Sequence, residues 1–233
     1  MEVLDFLARY WPQFLLGAWV TVQLAFAITV VSLVIGLIAA LARNSRFRVI
    51  RGIATFYVEV IRALPPLLLL FAVYFILPDA GVYLDAFTSA IIALGAYAGG
   101  FTCEIFRGGI AAVHKGQFEA GLSLGLNTRQ LYGRVILPQA LRISLPALAN
   151  QIILNIKATS LAVTITVPEI MFVASTGASN TFRPTEFYII AGLFYLAMVL
   201  PLSRLSRRIE RTPEEKGSQL ARRRARQLAR IAG

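Results

Sequence analysis

The residues best suited to chemistry are charges and hydroxyls set in apolar stretches. Lys157, Thr159 and Ser160 fall in one of them, Asn150-Gln151-Ile152-Ile153-Leu154-Asn155-Ile156-Lys157-Ala158-Thr159-Ser160-Leu161. On a helix beginning at Leu141, Lys157 lies roughly 24 Å along the axis at 1.5 Å per residue, well inside any bilayer the helix crosses. An ammonium at that depth costs about 2.5 to 3.5 kcal/mol unless it faces protein or water, so it requires a partner or a cavity. A salt bridge from Lys157 to Glu59 or Glu104 would supply such a partner. Each of those glutamates precedes an arginine by three residues, as Glu59/Arg62 and Glu104/Arg107. On helices, members of each pair are neighbours that offset each other's desolvation. If their two segments run in opposite directions, the four side chains form one interhelical ionic cluster, serving as a brace or as a gate. No paired nucleophile and base and no metal-ligand spacing occurs, and the lone Cys103 implies neither a disulfide nor a metal site.

These residues need helices to hold them in a membrane. The chain is 57% apolar and 15% charged over 233 residues, a composition typical of an integral membrane protein. Five spans are expected, at about 14–42, 53–77, 86–106, 141–166 and 185–203, each near the ~20 residues a bilayer core demands. Residues 1–13, with Tyr10 and Trp11, are expected as an outer interfacial segment, 14–208 as the transmembrane domain, and 209–233 as a basic cytoplasmic tail. Glu2 and Asp5 replace the basic start of a cleaved signal. Arg43, Arg46, Arg48 and Arg51 fill the first loop, Asp79 and Asp85 the second, and Lys115, Arg129 and Arg134 the third. The positive-inside rule then places the N-terminus outside and the C-terminus in the cytoplasm. The net charge of +11 is explained by this flanking of spans, and a nucleic-acid partner is not expected. Pro65 and Pro66 remove two amide donors from span two and should kink or break it.

Between spans three and four lies a polar, glycine-punctuated loop, 117–138. It reads as two short helices with a break: Gly125 suits the position just past the first, and Asn127 or Thr128 can cap a second carrying Leu131 and Val135 until Pro138 disturbs it. Local composition alone is equally compatible with an ordinary loop. The spacing of Glu119-Ala120, Gly125, Val135 and Leu137-Pro138, however, resembles the EAA loop of ATP-binding-cassette importer permeases, with Gly121 in place of the third-position alanine and Val135 in place of isoleucine. Tyr57-Val58-Glu59-Val60-Ile61-Arg62, Glu104-Ile105-Phe106-Arg107-Gly108-Gly109, Lys157 to Leu161 and Val167-Pro168-Glu169-Ile170-Met171 resemble segments of the polar amino-acid branch, the histidine, glutamate, glutamine and arginine importers. The resemblance covers about 21–210.

That resemblance implies an all-α integral membrane fold, the type I importer permease, in the bacterial cytoplasmic (inner) membrane. It implies that Glu119, Ala120, Gly121, Leu122, Gly125 and Leu126 belong to a cytoplasmic coupling helix gripped by a separate ATPase. It also implies that Lys157, Thr159 and Ser160 line a substrate cavity. Ala158 stands where the family commonly has aspartate, which makes the local field more positive and favours acidic or amide amino acids. The expected partners are a second permease subunit, two ATPases, an extracytoplasmic solute-binding protein and the lipid bilayer. No Gly-x-x-x-x-Gly-Lys-Ser/Thr loop is present, so ATP is expected at the partner and no cofactor on this chain. The competing class is a secondary transporter or channel for small polar solutes that needs no ATP.

Overall fold

A computed structural model describes residues 3–210, with side chains for 9–208; the basic tail expected over 209–233 lies outside the described side chains. The described residues are almost wholly helical: α1 (Val3–Arg43), α2 (Arg48–Ala63), α3 (Pro66–Phe71), α4 (Ala86–Ala111), α5 (Lys115–Ser123), α6 (Thr128–Leu131), α7 (Leu137–Ala158), α8 (Ile170–Thr181) and α9 (Pro184–Glu210). Four stretches are long and apolar enough to cross a membrane, Arg9–Arg43, Ala86–Ala111, Thr128–Ile165 and Pro184–Arg208. A fifth crossing is available only as a bent pair, Arg48–Ala63 with Pro66–Ala80, which turns by 109°. Span two is therefore not one helix. Leu64 and Pro65 are extended because a proline biases the preceding residue out of the helical region, and Pro66 then opens α3 as its first residue.

The N-terminal segment is drawn into the helical packing. From Val3 onward it is continuous with α1, and its aromatics pack on α9: Tyr10 meets Phe187 edge-on at 4.8 Å between ring centroids, and Trp11 lies 5.1 Å from Phe194.

The core has two main parts. Leu24 and Ile28 of α1 pack with Leu94 and Ala98 of α4, closed on one side by Leu70 and Ile165. Phe14, Ile170, Ala174 and Phe187 join α1, α8 and α9. Two widened π turns, Ala72–Ile76 and Tyr132–Ile136, each precede a proline, Pro78 and Pro138. A proline cannot donate to the carbonyl four residues back, and its ring collides with it; widening the preceding turn relieves both problems. Pro138 consequently does not end a helix, and the chain runs helically from Thr128 to Ile165.

Candidate functional site

Glu104 is the hub of the charged residues. Its carboxylate accepts from Arg43, from Arg107 at 2.8 Å and, more distantly, pairs with Arg62 at 3.8 Å. Helix α1 supplies Arg43 from its last turn, α2 supplies Arg62, and α4 supplies both Glu104 and Arg107. Arg62 also lies over the Phe101 ring at 5.3 Å. Arg43 and Glu104 expose only 18% and 20% of their side chains, so a genuine desolvation cost is being offset there. The expected cluster thus loses Glu59, which is exposed on α2, and gains Arg43. The physical reason is the crossing of α2 over α4: with Tyr57 donating to the Ala96 carbonyl at 2.6 Å, the α2 face that meets α4 carries Arg62 and not Glu59.

The elbow from α5 to α6 is built by local rules. His114 caps α5, its Nδ1 accepting from the Gly116 amide at 3.0 Å. At the other end Gly125 takes φ +73° and its amide donates to the Leu122 carbonyl at 2.9 Å, while the Leu126 amide donates to the Gly121 carbonyl at 3.1 Å. That pair of bonds is the Schellman stop expected of Gly125. Asn127 then caps α6 in a reciprocal capping box with Gln130. Beneath it Val113, Leu131, Ile136 and Ala140 form a small core of the elbow's own. Gly121, the departure from the expected alanine, is buried against Leu131; a Cβ there would lie 2.4 Å from the Leu131 methyl, which occupies the space. Glu119, Ala120, Leu122, Leu124 and Gly125 are exposed, Leu122 at 60% and Leu124 at 80%, and Leu126 is half-buried.

The elbow is tied to the long helices at two places. Gln139 donates to Gln117 at 3.2 Å and to the Val135 carbonyl at 2.9 Å, linking α5 to the start of α7 across the π turn. At Gly109 a Cβ would stand 2.0 Å from Ser144 Oγ and 2.8 Å from the Ala140 carbonyl, so α4 and α7 touch backbone to side chain just below α5. Ser144 reinforces the contact by donating to the Ile105 carbonyl at 3.3 Å.

The segment around Lys157 is where α7 tightens into a 3-10 helix over Thr159–Ile165. Thr159 is fully buried and donates to the Ile156 carbonyl at 2.7 Å; Ser160 is half-buried and donates to the Lys157 carbonyl at 2.8 Å. Lys157 is exposed and forms no ion pair among the described residues. The three do not converge on one point: both hydroxyls are committed to backbone carbonyls, and Thr159, two residues from Lys157, faces the opposite side of the helix.

Two polar groupings were missed. Asn155, 2% exposed, donates to Thr29 at 3.1 Å and accepts from Gln151 at 3.0 Å, bolting α7 to α1. Glu169 is fully buried as the cap of α8, accepting from the Phe172 amide at 2.9 Å and from the Tyr195 hydroxyl at 2.7 Å. The resemblance marked its segment, but nothing in sequence shows that Tyr195 lies opposite.

Several membrane-crossing helices, one of them broken, around an elbow between the third and fourth crossings define the permease subunit of an ATP-binding-cassette importer of the type I fold. Residues 32–214 match the family described as binding-protein-dependent transport system inner membrane component, and the chain belongs to that family. It is 39% identical over 203 residues to the L-cystine transport system permease TcyB of Bacillus subtilis, covering 87% of each. To the glutamine transport system permease GlnP of Escherichia coli it is 38% identical over 202 residues, covering 86% of this chain and 92% of the other. Among solved structures it superposes on an amino acid ABC transporter crystallised with histidines at TM-score 0.85 and 34% identity, over 90% of this chain and 98% of that one. The inward-facing MetNI methionine transporter, at 18% identity and TM-score 0.68 over 85% and 97% of the two chains, has the same fold.

Proposed function

We propose that this chain is the membrane subunit of an amino-acid importer that takes its solute from an extracytoplasmic binding protein and passes it inward by alternating access, driven by a separate ATPase bound at the elbow. The observation that carries the reading is the elbow itself: a capped helix with its own core, fixed to α4 and α7, presenting Leu122 and Leu124 to solvent. Two exposed leucines beside an exposed carboxylate, Glu119, form a surface suited to a protein partner, and the ties at Gln139 and Gly109 give that partner a grip on two crossing helices. The elbow end also carries Arg46, Arg48, Arg51, Arg129 and Arg134, which supports a cytoplasmic placement for it and an external N-terminus. The Glu104 cluster lies at the same end as a brace across α1, α2 and α4, and its rearrangement gates the inner mouth. Two such subunits, with the pathway between them, complete the conduit.

The carried solute is a polar amino acid, and relatives named for cystine and glutamine transport support that class. Lys157, exposed where α7 tightens, is the cation for its carboxylate, with Ser160 one turn on beside it; Thr159 is buried, its hydroxyl bonded to its own helix. The absence of a carboxylate at Ala158 favours acidic or amide side chains over basic ones.

The test is uptake into proteoliposomes holding the chain with its ATPase, with binding protein added outside. Uptake of glutamine or glutamate requires ATP, and Lys157→Met lowers it by about tenfold, the loss of one charge-assisted contact. Preference for lysine or arginine over glutamate would overturn the solute assignment. Downhill flux through the chain alone, without ATP, would instead support an ATP-independent transporter or channel.

A further inference from the structure

We propose that Glu59 is the anion for the solute's α-ammonium, standing across α4 from the Lys157 that takes its carboxylate; the inference rests on an amino-acid solute and on Lys157 as its cation. Both side chains are exposed, and neither forms an ion pair among the described residues. They stand at one depth. Helix α4 packs against both α2 and α7. It runs antiparallel to α7, with Ser144 against Ile105 and Gly109 at the elbow end and Ala158 sharing a cavity of about 250 Å³ with Leu94, Tyr97 and Phe101. Lys157, next to Ala158, is therefore level with 94–98 of α4. Tyr57 of α2 donates to the Ala96 carbonyl in that same stretch, and Glu59 lies two residues, about 3 Å, further along. The side is shared as well. Arg62, one turn on from Glu59, lies over the Phe101 ring, which lines the cavity between α4 and α7. Glu59 is the neighbour of Arg62 on the adjoining edge of α2, clear of the contact with α4.

The chemistry of the solute calls for this second charge. A free amino acid carries a carboxylate and an ammonium on one carbon, and taking it out of water requires a counter-charge for each. Lys157 answers only the first. No carboxylate follows it at Ala158, and the others among the described side chains are committed or distant. Glu104 is held by Arg43 and Arg107, and Glu169 is fully buried with Tyr195 bonded to it. Asp79 and Asp85 lie in the connection before α4, Glu119 on the elbow and Glu186 in the first turn of α9. Glu59 alone is both uncommitted and at this depth. Its neighbour Arg62 is drawn off, toward Glu104 at 3.8 Å and onto Phe101. A carboxylate exposed level with Lys157 cannot face acyl chains without a large cost, so this edge of α2 faces water or solute.

The experiment measures binding of radiolabelled glutamine to the assembled permease and ATPase in nanodiscs, without nucleotide or binding protein. The competitors are unlabelled glutamine and glutaramate, which is glutamine without its α-ammonium. The unaltered complex prefers glutamine by about tenfold, the worth of one charge-assisted contact. Glu59→Gln weakens glutamine by that factor and leaves glutaramate unchanged, so that the two bind alike; Glu59→Asp recovers part of the preference. Lys157→Met weakens both ligands by a common factor, and co-elution with the ATPase confirms that each variant is folded and assembled. Glu59→Gln binding glutamine as tightly as before, or losing glutamine and glutaramate equally, would overturn the proposal, while the effect of Lys157→Met would leave the solute reading standing. Absence of glutamine binding to the unaltered complex would overturn both.

Discussion

Glu104 answers to three arginines from three helices, and the balance of charges at this spot is lopsided: one carboxylate for three guanidinium groups. Removing it leaves Arg43 four-fifths covered with no counter-charge, which is the costly half of breaking an ion pair. Glu104→Gln should therefore destabilise the assembled complex by about 1–3 kcal/mol, below the cost of a fully buried pair because Arg62 and Arg107 are partly solvated. Glu59→Gln, on an exposed carboxylate with no ion pair among the described residues, should stay within about 0.5 kcal/mol. Thermal unfolding of the two variants checks the contrast. The pair Glu104/Arg107 was legible because it is local; Arg43, 61 residues away, could be found only by folding the chain. Lys157 and Thr159 show the opposite failure. Both were expected at one pocket, but residues two apart on a helix face opposite sides, and here Lys157 is turned outward and Thr159 inward.

The elements were legible wherever hydrophobic runs, caps and prolines set them, and less so where packing chose their geometry. Gly125 as a helix stop, Asn127 as a cap and Pro65 as a break all follow from backbone rules that operate within a few residues. The π turns before Pro78 and Pro138 do not, because a proline can be met by ending a helix or by widening it, and tertiary contacts decide which. Likewise the small, polar stretch 175–181 carries no strong helical pattern, yet it is the second half of α8, held by Ser175 and Thr181 donating to carbonyls of their own helix. At this scale the contact of α4 with α7 is the clearest target. Gly109→Ala drives a methyl into Ser144 and the Ala140 carbonyl and should cost about 1–3 kcal/mol, while Gly108→Ala, with nothing within 4 Å, should be close to neutral. Chemical denaturation of each variant in detergent decides it. At the opposite end of α4, Asp85 caps the helix, its carboxylate accepting from the Thr88 hydroxyl at 2.7 Å and amide at 3.0 Å. The hydroxyl bond first, and the amide bond with it, hold its pKa below the ordinary carboxylate value. A depressed folded pKa means that the cap's contribution is present above the unfolded pKa and fades as pH falls through the folded one. Amide exchange in the first turn of α4 should accelerate over that acid window, and Asp85→Asn, which keeps an accepting oxygen, should flatten the dependence.

For the whole molecule, the central question is where work enters. The long helices interlock through buried polar bolts, Asn155 to Thr29 and Tyr195 to Glu169, and the elbow is bonded to them through Gln139 and pressed against them at Gly109, so a push on α5 is received by α4 and α7 as a body. Such a push must favour one orientation of the helices over another to do anything, and under the proposed function the ATPase supplies it by holding the elbow differently in its two nucleotide states. The most direct measurement is site-directed crosslinking in the full complex. Cys103, the single cysteine, is buried, so Leu122→Cys and Leu124→Cys can be made in a Cys103→Ala background, with Phe182→Cys, 90% exposed where α8 meets α9, as the control at the other end. The account predicts crosslinks from positions 122 and 124 to the ATPase subunit, with yields that change when ATP is added, and none from 182. Labelling of 122 or 124 by an impermeant reagent from outside intact cells, or no crosslink to the ATPase from either, would contradict it.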